Sequence, residues 1–73
     1  MKKVYWTGAL KDECQACHRS FGVMMYDCAM PGSGGVWGNI CRVCFSHNGC
    51  RLGTGLGQEY ALTKDKRWEK VRG

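Results

Sequence analysis

The pairs Cys14-Gln15-Ala16-Cys17 and Cys41-Arg42-Val43-Cys44 decide the fold, because each holds two cysteines separated by two residues. A zinc ion takes four thiolates at the corners of a tetrahedron, with each sulfur about 2.3 Å from the metal. One pair supplies two corners from a tight turn, called a knuckle, so two knuckles complete the shell. Residues 18–40 separate the pairs, slightly more than the spacing of about 15–20 residues usual in such sites. The sequence therefore predicts one zinc ion held by all four cysteines, with a hairpin or long loop between the pairs.

The length of the chain supports this interpretation. With 73 residues the chain forms one domain at most, and a hydrophobic core of that size is marginal without a further crosslink. A structural zinc ion contributes about 10–16 kcal/mol in small peptides, as much as the whole net stability of a typical domain, about 5–15 kcal/mol. We therefore expect folding to depend on the metal and a chelator to unfold the chain.

Charge and cysteine content favour an intracellular protein with an acidic partner. The formal net charge is +5, which falls to about +3 once four thiolates surround a zinc ion. Six cysteines would also fit three disulfides in a secreted protein. The N-terminal residues, however, contain no apolar signal-peptide core, and no stretch has the length of a membrane span. Reduced, metal-bound cysteines in a cytosol are therefore expected.

The segments around the pairs predict a small β-rich domain of the zinc-ribbon type. Val4-Tyr5-Trp6 is expected to form an opening strand, and residues 20–26 the next one. Residues 28–35 contain Pro31 and three glycines, which predicts a loop. Residues 36–40 lead into the second pair as another strand. Residues 42–47 are expected to form one or two helical turns that stop at Asn48-Gly49.

The C-terminal residues 63–73 are predicted to be a flexible basic tail. Leu62, Trp68 and Val71 are the only apolar anchors near this segment, which is otherwise rich in lysine and arginine. The expected domain therefore spans residues 1–62, with the tail outside it. A monomer is expected.

Two other cofactors fit parts of the pattern. Cys14-Gln15-Ala16-Cys17-His18 matches the attachment signal of a c-type haem, with His18 as axial ligand and Met24, Met25 or Met30 as the second. Haem attachment generally requires export, and it would leave the second pair unexplained. Iron in a four-thiolate site shares the geometry of zinc. Spacing alone leaves zinc and iron open.

The other cysteines and the histidines are weaker candidates for ligands. Cys28 and Cys50 have no paired partner in the sequence, and a buried small hydrophobic residue is the favoured interpretation of each. His18 adjoins Cys17, which makes simultaneous ligation awkward. His47 follows Cys44 by three residues and is the more credible substitute. None of these displaces the four-cysteine assignment.

Nothing in the sequence predicts an enzyme. There are no paired carboxylates at a useful spacing and no nucleophile beside a base. Gly53, Gly55 and Gly57 lack the lysine and serine or threonine of a phosphate-binding loop, so they predict a tight structural turn. Four thiolates around the metal also leave no open position for water. The zinc is therefore expected to be structural.

Basic residues and aromatic rings lie together at both ends of the chain and are the candidate partner-binding residues. Charge and stacking of this kind suit nucleic acid as well as a protein surface. The alternative of a module that binds DNA or RNA directly therefore stays open. The candidates are Lys2, Lys3, Tyr5, Trp6, Lys66, Arg67, Trp68 and Lys70.

The chain also resembles a family of small phage and prophage zinc-ribbon proteins. The resemblance runs from Cys14 to Tyr60 and rests on three motifs: C-x-x-C at residues 14–17, W-G-N-x-C-x-x-C at 37–44, and L-G-T-G-x-G-Q-x-Y at 52–60. It implies a zinc-ribbon fold held by the two cysteine pairs. It also implies that Cys28 and Cys50 are not ligands.

In its length, its overall sequence and its basic ends, the chain resembles a phage transcription regulator that acts on the host. That similarity implies binding to bacterial RNA polymerase, inhibition of initiation and suppression of termination. DNA or nascent RNA could lie nearby in such a complex. Neither spacing nor composition leads to this function, but both are compatible with it.

Overall fold

The computed structural model describes residues 2–73 and has one four-stranded sheet and one short helix. In chain order the elements are β1 (Met24–Ala29), β2 (Trp37–Ile40), α1 (Arg42–His47), β3 (Gly57–Leu62) and β4 (Trp68–Arg72). The first cysteine pair precedes β1, and the second lies where β2 meets α1. Within residues 2–73, no helix has the length and hydropathy needed to cross a bilayer.

The sheet is antiparallel throughout, with the strand order β2-β1-β3-β4. Tyr26 at the centre of β1 stands opposite Ile40 on β2 and Glu59 on β3. Glu59 in turn stands opposite Arg72 on β4, beside an irregularity in the β3–β4 register. The small β-rich domain expected from the sequence is therefore present, and two of its four strands, β3 and β4, were not predicted from the sequence.

Aromatic rings cover the two central strands. Tyr26 stacks on Phe45 of α1, with ring centroids 4.3 Å apart. Trp6 meets Tyr60 edge to face at 5.7 Å. Aromatic pairs at these separations stabilise the fold beyond the burial of their apolar surface, because stacked and edge-to-face geometries are favourable. The buried apolar core consists of Cys14, Phe21, Met25, Tyr26, Cys28, Ile40, Cys41 and Tyr60.

Among residues 2–73, Glu59 is the one charged residue that is buried, and its charge is satisfied across the sheet. Its carboxylate accepts a hydrogen bond from the Tyr26 hydroxyl at 2.5 Å. It also accepts two from the Arg72 guanidinium, at 2.7 and 3.2 Å. A buried charge is costly unless it is paired and hydrogen-bonded. The buried row of Tyr26, Glu59 and Arg72 therefore fixes the registers of β1, β3 and β4 together.

The prediction of a loose C-terminal tail was wrong. Residues 68–72 form β4, which pairs with β3 along its length. A turn closed by Thr63 joins the two strands: the Thr63 N–H donates to the Arg67 carbonyl at 2.7 Å, and the Lys66 N–H donates to the Thr63 carbonyl at 3.1 Å. Trp68 also meets Phe21 edge to face at 5.8 Å. Backbone pairing and one aromatic anchor hold this segment, although it has few apolar residues.

The other boundaries differ by smaller amounts. β1 begins at Met24 instead of Ser20, because Gly22 takes a left-handed backbone conformation, with φ of 70°, that ends any earlier extended run. It also continues through Cys28 and Ala29, where the sequence predicts a loop. α1 covers the residues expected and ends at His47, followed by Asn48 and Gly49. β3 was not predicted.

The glycine-rich segment before β3 is a tight turn, as expected. The Gly53 N–H donates to the Gly57 carbonyl at 2.9 Å, and the Gly57 N–H donates back to the Gly53 carbonyl at 3.0 Å. A Cβ atom at Gly57 would lie 2.6 Å from the Arg51 carbonyl oxygen and 2.7 Å from the Cys28 Cβ. Only glycine fits where two backbones approach so closely.

The N-terminal segment lies along β4 without forming a full strand. Tyr5 pairs with Glu69 in a single antiparallel bridge. The Trp6 N–H donates to the Trp68 carbonyl at 2.9 Å, and the Lys70 N–H donates to the Val4 carbonyl at 2.7 Å. The two ends of the chain therefore lie side by side.

Candidate metal centre

The first cysteine pair lies in a tight turn. The His18 N–H donates to the Cys14 carbonyl at 2.9 Å, and the Cys14 N–H donates to the Arg19 carbonyl at 2.8 Å. To close this turn, His18 takes a left-handed conformation with φ of 64°, which glycine adopts more readily. The N–H groups of Ala16 and Cys17 point at the Cys14 sulfur, at 3.3 and 3.4 Å. Such a turn presents both sulfurs on one side.

The second pair has the same spacing but a different backbone. Cys41 is extended, with φ of −79° and ψ of 168°, and immediately precedes α1. The Phe45 N–H donates to the Cys41 carbonyl at 2.9 Å, so Cys44 lies in the first turn of the helix. Residues three apart lie on one face of a helix. The second pair is thus a helix start and not the second knuckle expected from the sequence.

Gln15 connects the first pair to the sheet. Its N–H donates to the Asn39 carbonyl at 2.9 Å, and its side-chain oxygen accepts the Asn39 N–H at 2.8 Å. Asn39 lies on β2, two residues before Cys41. These two hydrogen bonds dock the turn against the edge of the sheet, beside the point where β2 passes into α1. No feature of the sequence indicated this role of Gln15.

All four predicted cysteines meet at this point. The sulfurs of Cys14, Cys17, Cys41 and Cys44 lie within 4.8 Å of one another. The Cys17 and Cys41 sulfurs are 3.7 Å apart, close to the edge of about 3.8 Å for a tetrahedron whose centre is about 2.3 Å from each sulfur. A disulfide would need about 2.05 Å, and all four cysteines are free. The cluster can hold a metal ion.

Two thiols of this cluster have pKa values shifted in opposite directions by their surroundings. Burial raises the pKa of the Cys14 thiol, but N–H groups of Cys17, Cys41 and Ala16 outweigh that effect and lower the pKa to about 6. Burial and the neighbouring cysteines raise the pKa of Cys44. A bound divalent ion would deprotonate the remaining thiols.

The other sulfur and nitrogen candidates lie outside the cluster of the described residues. Cys28 is fully buried in the core, and burial together with the nearby Cys50 raises the pKa of its thiol to about 12. A thiol that stays neutral in an apolar setting packs as a small hydrophobic residue, as expected. The His18 side chain is largely exposed beside Glu13, at 3.9 Å. His47 is likewise exposed.

The arrangement of the sulfurs fits a four-thiolate metal site better than a haem. A haem attached through Cys14 and Cys17 would need both sulfurs to face the porphyrin. Here they face Cys41 and Cys44 instead. The same four sulfurs suit zinc and iron alike.

The candidate partner-binding residues come together from both ends of the chain. The Arg67 guanidinium lies over the Tyr5 ring, 4.0 Å from its centroid, in a cation–π contact. Trp6 and Trp68 are half-buried, and their backbones are hydrogen-bonded to each other. Lys66 is exposed in the β3–β4 turn, and Lys70 is half-buried on β4. Lys2 and Lys3 are exposed beyond this contact.

Comparisons with protein-family models, with curated proteins and with solved structures find no match to this chain.

Proposed function

We propose that the four clustered cysteines bind one structural zinc ion. The observation that carries this proposal is the cluster itself, with four sulfurs within 4.8 Å and one pair at the tetrahedral edge length. Zinc favours tetrahedral thiolate sites of this kind, and all four ligands would come from the protein. No position would remain for a reacting water, so the ion would hold the fold and not catalyse. An iron site would absorb visible light, so a colourless protein would separate the two metals.

The domain held in this way is an interaction protein that binds bacterial RNA polymerase in the host cytoplasm. It represses initiation and suppresses termination, as the resemblance to phage regulators implies. Two features support this proposal. The chain is basic, with a formal net charge of +5, and both ends present charged and aromatic residues on one surface. A compact, metal-held domain of this size can occupy a site on a large enzyme without catalysing a reaction.

Direct binding to nucleic acid is the second candidate, favoured by the net charge and the exposed lysines. Its stacking component has less support. The Trp6 and Trp68 rings are engaged by Tyr60 and Phe21, and the Tyr5 ring is covered by Arg67. Single-strand binders offer free aromatic faces to successive bases. Engaged rings therefore favour a protein partner over a nucleic acid.

The test is capture of purified bacterial RNA polymerase by the tagged, zinc-loaded protein after nuclease treatment. Polymerase binding that persists at moderate salt supports the proposal, and transcription assays with and without a terminator then measure repression and readthrough. Binding to DNA or RNA that weakens steeply with salt, since neutralised phosphates release counterions, would support the second candidate. Failure to bind polymerase in nuclease-treated samples would contradict the proposal.

A further inference from the structure

A cleft of about 450 Å³ lies between the N-terminal segment and the β3–β4 hairpin. Trp6, Leu10 and Lys11 line one side, and Leu62, Lys66 and Trp68 line the other. The volume lies within the range of about 300–1,000 Å³ typical of ligand sites. The cleft shares no lining residue with the cysteine cluster, although Asp12 on its rim lies two residues before Cys14.

The rim of this cleft carries an excess of positive charge. Lys11, Lys66 and Arg67 line it, against the single carboxylate of Asp12. Arg67 donates to Asp65 at 2.8 Å and also covers Tyr5. Neither Lys11 nor Lys66 forms an ion pair with any residue of the described chain. Two ammonium groups are therefore free to meet a negatively charged ligand.

The walls between these charges are apolar and contain one buried donor. Leu10 and Leu62 are half-buried, as are the two tryptophans. Within residues 2–73 the indole N–H of Trp6 is buried and has no hydrogen-bond partner. A buried donor left unpaired is costly, and a shift of the Trp6 ring toward a ligand's carbonyl or carboxylate oxygen would satisfy it. The ligand should therefore bring an apolar group and an oxygen acceptor.

The hairpin turn holds one wall in place. The Arg67 N–H donates to the Thr63 hydroxyl at 3.0 Å, in addition to the backbone hydrogen bonds that close the turn. Lys66 has a left-handed backbone, with φ of 67°, within this closed turn. Its Cα position is thus fixed before binding, which lowers the ordering cost of a contact.

From these observations we infer that the cleft docks an acidic polypeptide segment of the protein partner, with one large apolar side chain inserted between Trp6 and Trp68. This inference rests on the proposed function, since it assigns the surface by which the domain holds its partner. Charge complementarity selects the acidic segment, and the apolar walls select its anchor residue. A nucleic acid would supply negative charge without an aliphatic or aromatic side chain for these walls.

The test uses a short fluorescein-labelled peptide of glutamate and serine residues around one central phenylalanine. Its anisotropy is measured against the full-length, zinc-loaded protein, and the Trp6 indole resonance is followed by NMR. Matched probes replace the phenylalanine by serine, replace the glutamates by lysines, or are a single-stranded oligouridylate. The expected result is binding of the first peptide alone, with displacement of the Trp6 indole resonance.

Charge-reversal variants locate the site. The double variant Lys11→Glu/Lys66→Glu is expected to weaken peptide binding about tenfold, since two attractive charge contacts become repulsive. Arg51→Glu/Lys64→Glu makes the same change of net charge outside the cleft and is expected to weaken binding by less than about threefold. Equal loss in both variants, no peptide binding, or preference for the oligouridylate would overturn the inference.

The same variants distinguish this inference from the proposed function. If purified polymerase binds the wild type and Lys11→Glu/Lys66→Glu equally well, the cleft is not the docking surface although the proposed function stands. If the acidic peptide binds in the cleft but polymerase does not bind the protein, the proposed function fails and the cleft must serve another acidic protein. Circular dichroism of each zinc-loaded variant confirms that it is folded.

Discussion

The two cysteine pairs have the same spacing and reach the same cluster by different backbones. The first lies in a turn that depends on a left-handed residue, His18. The second begins a helix, and the residue in the equivalent place, Phe45, packs on Tyr26 in the core. The first pair is attached to the sheet by the hydrogen bonds of Gln15, whereas the second continues directly from β2. Two unlike supports therefore converge on one cluster of four sulfurs, and a bound metal would join them.

The largest expected effect is the loss of both supports together when the metal is removed. A strong chelator should unfold the zinc-loaded chain, because the binding free energy, about 10–16 kcal/mol, exceeds or equals the net stability of a small domain. Circular dichroism and metal content measure this directly. Cys14→Ser and Cys41→Ser should each lose the metal, whereas Cys50→Ser should retain it. If chelation left the circular dichroism spectrum unchanged, the sheet would fold without a metal that joins the two cysteine pairs.

The next effect distinguishes the two pairs by placing glycine directly after the second cysteine of each. Phe45→Gly should lower the free energy of unfolding by about 2–4 kcal/mol, since it removes a half-buried ring and places glycine in a helix. His18→Gly should raise it by about 0.5–1 kcal/mol, because glycine takes the left-handed conformation without strain. Denaturant unfolding in excess zinc measures both values. Changes of the same sign would contradict the difference between the two backbones.

A smaller effect concerns Glu59, which holds the Tyr26 side chain that packs against the helix of the second pair. Glu59→Gln should cost about 1–3 kcal/mol at neutral pH, because it weakens hydrogen bonds to Tyr26 and Arg72. Asp65→Asn, in the exposed pair with Arg67, is the matched control and should change stability little. Equal effects of the two substitutions would mean that the buried row does not support the second pair.

The effect of Glu59 should also depend on pH. The Arg72 guanidinium holds the pKa of the Glu59 carboxyl below its ordinary value, against an opposing effect of burial. The ionised carboxylate therefore stabilises the fold above the ordinary glutamate pKa of about 4.3, and this contribution is lost as the pH falls through the lower folded pKa. The stability difference between wild type and Glu59→Gln should shrink below about pH 4. A stability difference that grew toward acid pH would contradict the lowered pKa of Glu59.

The smallest effect tests the attachment of the first pair. Gln15→Ala removes the hydrogen bond from Asn39 to the side-chain oxygen and should cost about 0.5–1.5 kcal/mol. Because the turn itself is unchanged, one zinc ion per chain should remain bound, but a competing chelator should remove it faster. Ala16→Gly, at the neighbouring exposed position, is a control for backbone flexibility. Zinc release from Gln15→Ala that is as slow as from the wild type would mean that Gln15 does not restrain the turn.

These pairs also mark what could be predicted from the sequence. The number and spacing of the cysteines identify the four that cluster, because a tetrahedral ion imposes the same requirement on any backbone. The spacing does not distinguish a turn from the first turn of a helix, since both place residues three apart on one side. That is why the second pair was expected to be a knuckle. The helix itself was predicted, because Asn48 and Gly49 end it locally.

The missed strands have a different cause. Residues 68–72 look like a solvated basic tail when only their own side chains are considered. Their strand depends on pairing with β3 and on the contact of Trp68 with Phe21, which lies far away in the sequence. The meeting of the two chain ends has the same origin. Neither local propensity nor periodicity contains such contacts, so the cleft beside Trp6 and Trp68 could be found only in the folded chain.

The most direct test of the central claim is X-ray absorption at the zinc edge, with metal content measured on the same sample. One zinc ion per chain with four sulfur scatterers at about 2.3 Å is the predicted result. A shell containing nitrogen or oxygen in place of a sulfur, or a folded chain that binds no zinc, would contradict it.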